Sequence, residues 1–286
     1  MRGKQIMTVT GPVNANLLGT VYSHEHLIVQ PQIPDEKYIA YTLSDENASA
    51  KEVQLFANAG GKTIVEMTPI NYGRDVLAYQ RIAKKTGIYV ICCTGFHKEL
   101  FMPSWFKEKK SSQIYDEVLN EIENGIDKTS IRPGVIKMGT SFENITDQER
   151  RAVEIVARLH QDTGIMISTH CDKGTMGIEQ LDLLEHYGVS AKDVLLGHID
   201  SKHDIDYAKE LCKRGAKICI DHVGRSLSDH DAFCVQLITE LIEAGFVDHV
   251  VLSGDMGKTD YLLSYGGTPG FGYISVSYTH LRAHET

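Results

Sequence analysis

Long apolar runs are missing from this 286-residue sequence; none reaches the roughly 18 residues that a membrane-spanning helix needs. The opening stretch, MRGKQIMTVTGPV, has two early positive charges and no apolar core of signal-peptide length, so a cytoplasmic protein is expected. A basic excess is missing too. With 29 Lys and Arg against 38 Asp and Glu, the formal charge is −9. That speaks against nucleic acid, because phosphate-backbone binding needs a basic face. A small anionic substrate stays compatible, since a local basic cluster can sit within an acidic surface. Cysteine shows no CxxC spacing and no disulfide-scaffold density. Cys92, Cys93, Cys171, Cys212, Cys219 and Cys234 fall mostly within apolar runs and read as buried free thiols. No Pro/Gly/Ser-rich linker or low-complexity run divides the chain, so one domain over residues 1–274 is expected. What is plentiful is histidine, 13 in all, many at the ends of apolar runs.

Short β-branched runs alternate with longer amphipathic stretches almost from end to end. Candidate strands lie at 20–23, 63–67, 89–93, 135–138, 166–169, 194–197, 217–220 and 250–253. Continuous apolar runs of this kind suit parallel strands covered on both faces. Between them lie helical patterns such as 147–162, where Ala152, Ile155, Val156 and Leu159 share one face. Thr146 and Glu149 form a capping box there, and Gly164 is a stop. Eight strands with helical crossovers predict an α/β fold, a (β/α)8 barrel. A doubly wound sheet is the alternative, but it calls for a Gly-rich turn where the first strand instead ends in Ser-His-Glu-His.

Barrel active sites form at the C-terminal ends of the strands. His24 and His26 are two apart at the end of the first, so their imidazoles share a face while Glu25 points oppositely. His170 ends the fifth strand, His198 the sixth and Asp255 the eighth. Four histidines and an aspartate in such positions make a site for borderline divalent cations. Lys137 lies in the apolar run GVIKMGTS, where a charged amine is costly to bury and its pKa should fall. A neutral amine can add carbon dioxide, giving a carbamate whose two oxygens bridge two cations. Two ions about 3.5–4 Å apart can then share a hydroxide at neutral pH.

The ordered set GTVYSHEHL, GVIKMGTS, ISTHCD, GHID and LSGDMG resembles the phosphotriesterase family of the amidohydrolase superfamily, from about residue 6 to about residue 274. That family includes phosphotriesterases, lactonases and phosphotriesterase-homology proteins. The resemblance implies that His24, His26 and Asp255 hold the more buried metal and His170 and His198 the more exposed one. Carboxylated Lys137 bridges them; some relatives carry glutamate at that position. It further implies that the bridging hydroxide attacks the substrate, that Asp255 accepts its proton, and that His222 relays the proton outward. One departure puts that relay in doubt. Phosphotriesterases pair this histidine with an aspartate three residues beyond the sixth-strand histidine, where this chain has Ser201, with Asp200 one place earlier.

The resemblance leads to an ester hydrolase with two divalent ions, zinc first and manganese or cobalt as alternatives. Its expected substrate is a small lactone or ester, with no nucleic acid or membrane partner and a homodimer left open. Lys98, Arg225 and Lys258 lie in loops after the third, seventh and eighth strands and are expected to bind substrate. Such a cation cluster suggests an anionic lactone, plausibly a phosphorylated sugar lactone, whereas neutral phosphotriesters prefer apolar pockets. The alternatives are a phosphotriesterase of the aryldialkylphosphatase type, a metal-binding protein without turnover, and an amide hydrolase. Where the family continues into a long final helix, this chain has SVSYTHLRAHET. Residues 275–286 therefore read as a non-native tail, the barrel is expected to be incomplete at its C-terminal end, and His280 and His284 are left out of the site.

Overall fold

The computed structural model describes residues 4–33, 35–225 and 229–277. Eight parallel strands pair in chain order: β1 (Val21–Glu25), β2 (Thr63–Glu66), β3 (Tyr89–Gly95), β4 (Val135–Thr140), β5 (Ile167–Cys171), β6 (Val194–Gly197), β7 (Lys217–Ile220) and β8 (Val250–Leu252). A helix crosses between each successive pair, at Glu46–Asn58, Val76–Thr86, Ser111–Asn124, Asp147–Thr163, Gly177–His186, Ile205–Lys213 and Asp229–Glu243. This is the (β/α)8 barrel. The end of β1 meets the segment just past β8, where the Asp255 N–H donates to the His24 carbonyl at 3.1 Å. There the His24 N–H also donates to Ser253 Oγ at 3.1 Å.

The strands are mostly apolar because both faces are covered. Ile64, Val90, Ile136, Ile167, Leu196 and Ile218 are fully buried, and all six cysteines are buried free thiols. Observed strands match the expected ones to within two residues at each end. β3, β4 and β5 run two residues further than their apolar runs, because their ladders continue into polar residues at the mouth. A hairpin that the sequence did not announce, Gln5–Thr8 with Gly11–Asn14, docks on the start of β3 through the Val9 N–H and the Val90 carbonyl, 2.8 Å. Among the described residues no helix is long and apolar enough to cross a membrane. A short helix, Tyr273–Ser277, follows β8 and crosses into the segment expected to be a tail; His280 and His284 lie outside the described residues.

The capping box at Thr146 does more than start a helix. The Glu149 side chain is fully buried and accepts from the Thr146 N–H (3.0 Å), the Ser141 N–H (3.1 Å), the Ser141 hydroxyl (2.6 Å) and the Glu99 N–H (2.9 Å). One carboxylate thus ties the loop after β3 to the loop after β4. Glu149→Ala should lower unfolding stability by about 3 kcal/mol, since it leaves several buried donors unpaired. The exposed Glu154→Ala on the same helix should stay within about 0.5 kcal/mol of the parent. Urea unfolding of the two variants makes the comparison, and equal, small losses would show that the loops hold without Glu149.

Candidate active site

At the end of β1 the backbone turns His24 and His26 into the mouth and Glu25 out of it. His24 Nε2 lies 3.6 Å and His26 Nε2 3.0 Å from Asp255 Oδ1. Glu25 is buried beneath the loop that carries Asp255. It accepts the N–H groups of Gly254 (2.7 Å) and Met256 (2.9 Å) and lies 2.7 Å from Ser253 Oγ. Burial pushes its carboxyl up to about 7 against those hydrogen bonds. A second support fixes the His26 ring: Nδ1 is 2.7 Å from Thr68 Oγ1, whose hydroxyl donates to Glu66 Oε1 at 2.6 Å.

Lys137 is 1% exposed, and its Nζ lies 3.0 Å from His24 Nε2. Burial lowers its pKa. The amine reaches this depth because β3 passes hard against β4. Gly95, with φ +95°, has no room for a side chain: a Cβ there would stand 2.1 Å from the Lys137 carbonyl oxygen. The next ladder brings in His170, paired with Gly197, so that the His170 and His198 rings lie with centroids 4.5 Å apart. His198 Nδ1 is 3.8 Å from Asp255 Oδ2. All six expected ligands therefore converge on one cavity at the C-terminal mouth. His198 and Asp255 both adopt left-handed backbone, φ 63° and 41°, an uncommon conformation for residues with a side chain.

The chemistry of this donor set fits divalent cations. Burial pushes His24 and His170 down to about 3, so both rings are neutral and offer lone pairs. His170 Nε2 is buried with no hydrogen-bond partner among the described residues, an arrangement a bound cation would satisfy. Asp221, which sequence reasoning missed, orders the rest. Its Oδ2 is 2.8 Å from His24 Nδ1 and its Oδ1 2.9 Å from His198 Nδ1, so each Nε2 is turned away from it. Burial would raise the Asp221 carboxyl, but the two imidazoles outweigh it and hold it well below the usual range. The same balance works the other way on His198: burial opposes its charge, and Asp221 raises its pKa. A cation taking this ring would displace a proton.

His222 stacks on His198 at 4.9 Å, with Nε2 3.8 Å from Asp255 Oδ2. The departure noted at Ser201 is made good locally. Ser201 Oγ lies 2.7 Å from His222 Nδ1, and Asp200 Oδ2 lies 3.0 Å from the same nitrogen. The left-handed turn at His198 and the 3-10 turn Ile199–Lys202 carry Asp200 inward, fully buried, so a carboxylate backs His222 from one position earlier.

The three expected substrate-binding cations all line the cavity, whose volume is about 490 Å³, but they are not equally free. Lys98 Nζ donates to Asp172 Oδ2 at 2.5 Å. Lys258 lies over the Tyr41 ring at 4.3 Å. Arg225 differs most from a loose loop cation: its guanidinium is turned onto Asp255 Oδ2 (2.5 Å) and the Gly254 and Asp255 carbonyls. His97, Tyr72 and Tyr261 also line the wall and were not anticipated. Asp221 and His97 stand just past the ends of β7 and β3, so the strand-end rule that found His170 would have found them; Tyr72 carries no such signal.

Comparisons with known proteins agree with this geometry. The model of the phosphotriesterase family matches residues 4–282. A phospho-furanose lactonase of Mycoplasmopsis synoviae is 32% identical, over 97% of this chain and 84% of its own length. The crystal structure of a lactonase from Listeria monocytogenes superposes with a TM-score of 0.94 at 31% identity, covering 99% of this chain and 92% of that one. The Escherichia coli phosphotriesterase homology protein, whose structure is complexed with phosphate in its active site, gives 0.89 at 29% identity, covering 94% and 92%. A family match of that extent, over a barrel with this donor set at its mouth, leaves one conclusion: the chain belongs to the phosphotriesterase family.

Proposed function

We propose that this protein is a two-metal hydrolase that opens a lactone bearing a negatively charged group, such as a phosphorylated sugar lactone. The convergence of His24, His26, Lys137, His170, His198 and Asp255 on one cavity carries the reading. His24, His26 and Asp255 would hold one ion and His170 and His198 the other, with zinc first and manganese or cobalt as alternatives. Lys137, carboxylated by carbon dioxide, would be shared between them. Bound there, the ions supply Lewis acidity toward the acyl oxygen and lower the pKa of water. Asp255 receives the proton that the attacking water gives up, and His222 passes it on toward Asp200. The acyl C–O bond breaks, and the departing alkoxide takes the remaining proton of the added water, leaving a carboxylate and an alcohol.

Charge favours the anionic substrate. Lys98, Lys173, Arg225 and Lys258 line the cavity against Asp172 and Asp255, and the Lys258 ammonium has no carboxylate partner among the described residues. An anion placed between such cations forms hydrogen bonds of about 1.5–3 kcal/mol each. The phosphate held in the active site of the E. coli homology protein, and the phospho-furanose lactonase relatives, support the same choice.

Lys137→Ala should retain less than about a tenth of the wild-type metal and activity, and added short carboxylic acids should restore part of both, because a bridging anion is what was lost. Metal analysis reads this apart from turnover. An alanine variant holding two ions per chain at full activity would contradict the carbamate.

Lys258→Met should cut kcat/KM on a phosphorylated lactone by about tenfold to a hundredfold while barely changing its unphosphorylated counterpart. Arg225→Met should lower both, because that guanidinium also holds Asp255. Steady-state kinetics on the paired substrates decides; equal losses in the Lys258 variant would remove the anion contact.

A further inference from the structure

His97 is the one imidazole on the cavity wall that neither the ligand set nor the His222 relay employs, apart from His230 behind Asp200. It stands two residues past β3 and is 8% exposed. Its ring centroid lies 4.3 Å from that of His170, 4.5 Å from Phe101 and 5.1 Å from Tyr72. Three rings thus fix its plane, and one of them belongs to the ligand set.

Its hydrogen bonding fixes its chemistry. The Lys98 backbone N–H donates to His97 Nδ1 at 2.7 Å. A ring nitrogen that accepts a hydrogen bond carries no proton, so in the neutral ring the proton sits on Nε2. Among the described residues no acceptor takes the Nε2–H. It is a committed donor on a cavity wall, beside His170 and across the mouth from β8, whose loop carries Asp255.

We propose that His97 is a further catalytic residue of this centre, donating its Nε2–H to the acyl oxygen of the bound lactone. This rests on the hydrolase reading above. A neutral donor gains most when that oxygen becomes negative, as water adds to the carbonyl carbon, and it neither gives up nor gains a proton. The cost of orienting it is met in the folded protein by the Lys98 amide and the surrounding rings. The site then has two chemically distinct sides: Asp255 and His222 take a proton on one, and His97 holds the developing oxyanion on the other.

The test pairs two variants with two substrates. His97→Phe keeps the ring's bulk and loses the donor; His97→Gln places an amide N–H near the Nε2 position. On an oxygen lactone, His97→Phe should lower kcat by roughly a hundredfold with KM within about threefold, and His97→Gln should recover to within about tenfold of wild type. On the matching thionolactone, whose sulfur is a poor acceptor, the Phe variant should lose less than about fivefold relative to wild type. Both variants should keep the wild-type metal content, and side-chain 15N spectra of the zinc-loaded wild type should show the proton on Nε2. Equal losses on the two substrates, a fall in metal content, or a proton on Nδ1 would each overturn the role of His97 while leaving the hydrolase reading intact. A wild-type chain that turns over no lactone or ester when metal-loaded would instead overturn that reading, and this proposal with it.

Discussion

One carboxylate, Asp221, holds two imidazoles from opposite sides of the site. His24 comes from the first strand and His198 from just past the sixth, yet their Nδ1 atoms lie 2.8 and 2.9 Å from its two oxygens. A histidine can present either nitrogen, and which one it presents is set by what the other is bonded to. By occupying both Nδ1 atoms, Asp221 leaves the Nε2 atoms as the ligating positions, and that of His24 lies 3.0 Å from Lys137 Nζ and 3.6 Å from Asp255 Oδ1. Burying a carboxylate costs several kcal/mol unless it is compensated. Here the two rings and the His198 N–H, 2.9 Å away, supply that compensation.

The rest of the mouth repeats the pattern of buried acids positioning what lies above them. Glu25 holds the turn that carries Asp255, Glu66 acts through Thr68 on His26, Asp200 backs His222, and Glu149 joins the loops after the third and fourth strands. The residues expected to do chemistry are therefore mounted on a framework of charge-assisted hydrogen bonds, which are stronger and more directional than neutral ones. Backbone strain at His198 and Asp255 is sustained by the same framework. Against it, the cations of the cavity wall are held unevenly: Lys98 and Arg225 pair with Asp172 and Asp255, whereas Lys258 rests on an aromatic face.

Much of this was legible in the sequence because a barrel strand advertises itself as an apolar run and its functional residue as a polar break at the end. His170, His198 and Asp255 were found that way, and Lys137 by being the wrong residue inside such a run. The hairpin over residues 5–14 was not legible, since QIMT and GPVN lack both alternation and a continuous apolar face. Asp221 is a strand-end polar residue like the others, but its bond to His24 spans 197 residues, and nothing local announces a partner so far away. At Ser201 the offset along the chain does not give the offset in space: Asp200, one place earlier, lies 3.0 Å from His222 Nδ1, and Ser201 Oγ lies 2.7 Å from it. Arg225 reads in the sequence as a charge in a loop, and packing alone decides that the guanidinium turns onto Asp255.

The central claim is that these six side chains form a two-metal centre bridged by a modified lysine. Anomalous scattering from crystals of the metal-loaded protein tests it most directly. The account predicts two peaks about 3.5–4 Å apart, one beside His24, His26 and Asp255 and the other beside His170 and His198. Continuous density should extend from Lys137 Nζ to both. A single peak, peaks elsewhere in the barrel, or an unmodified lysine between two fully occupied ions would contradict it.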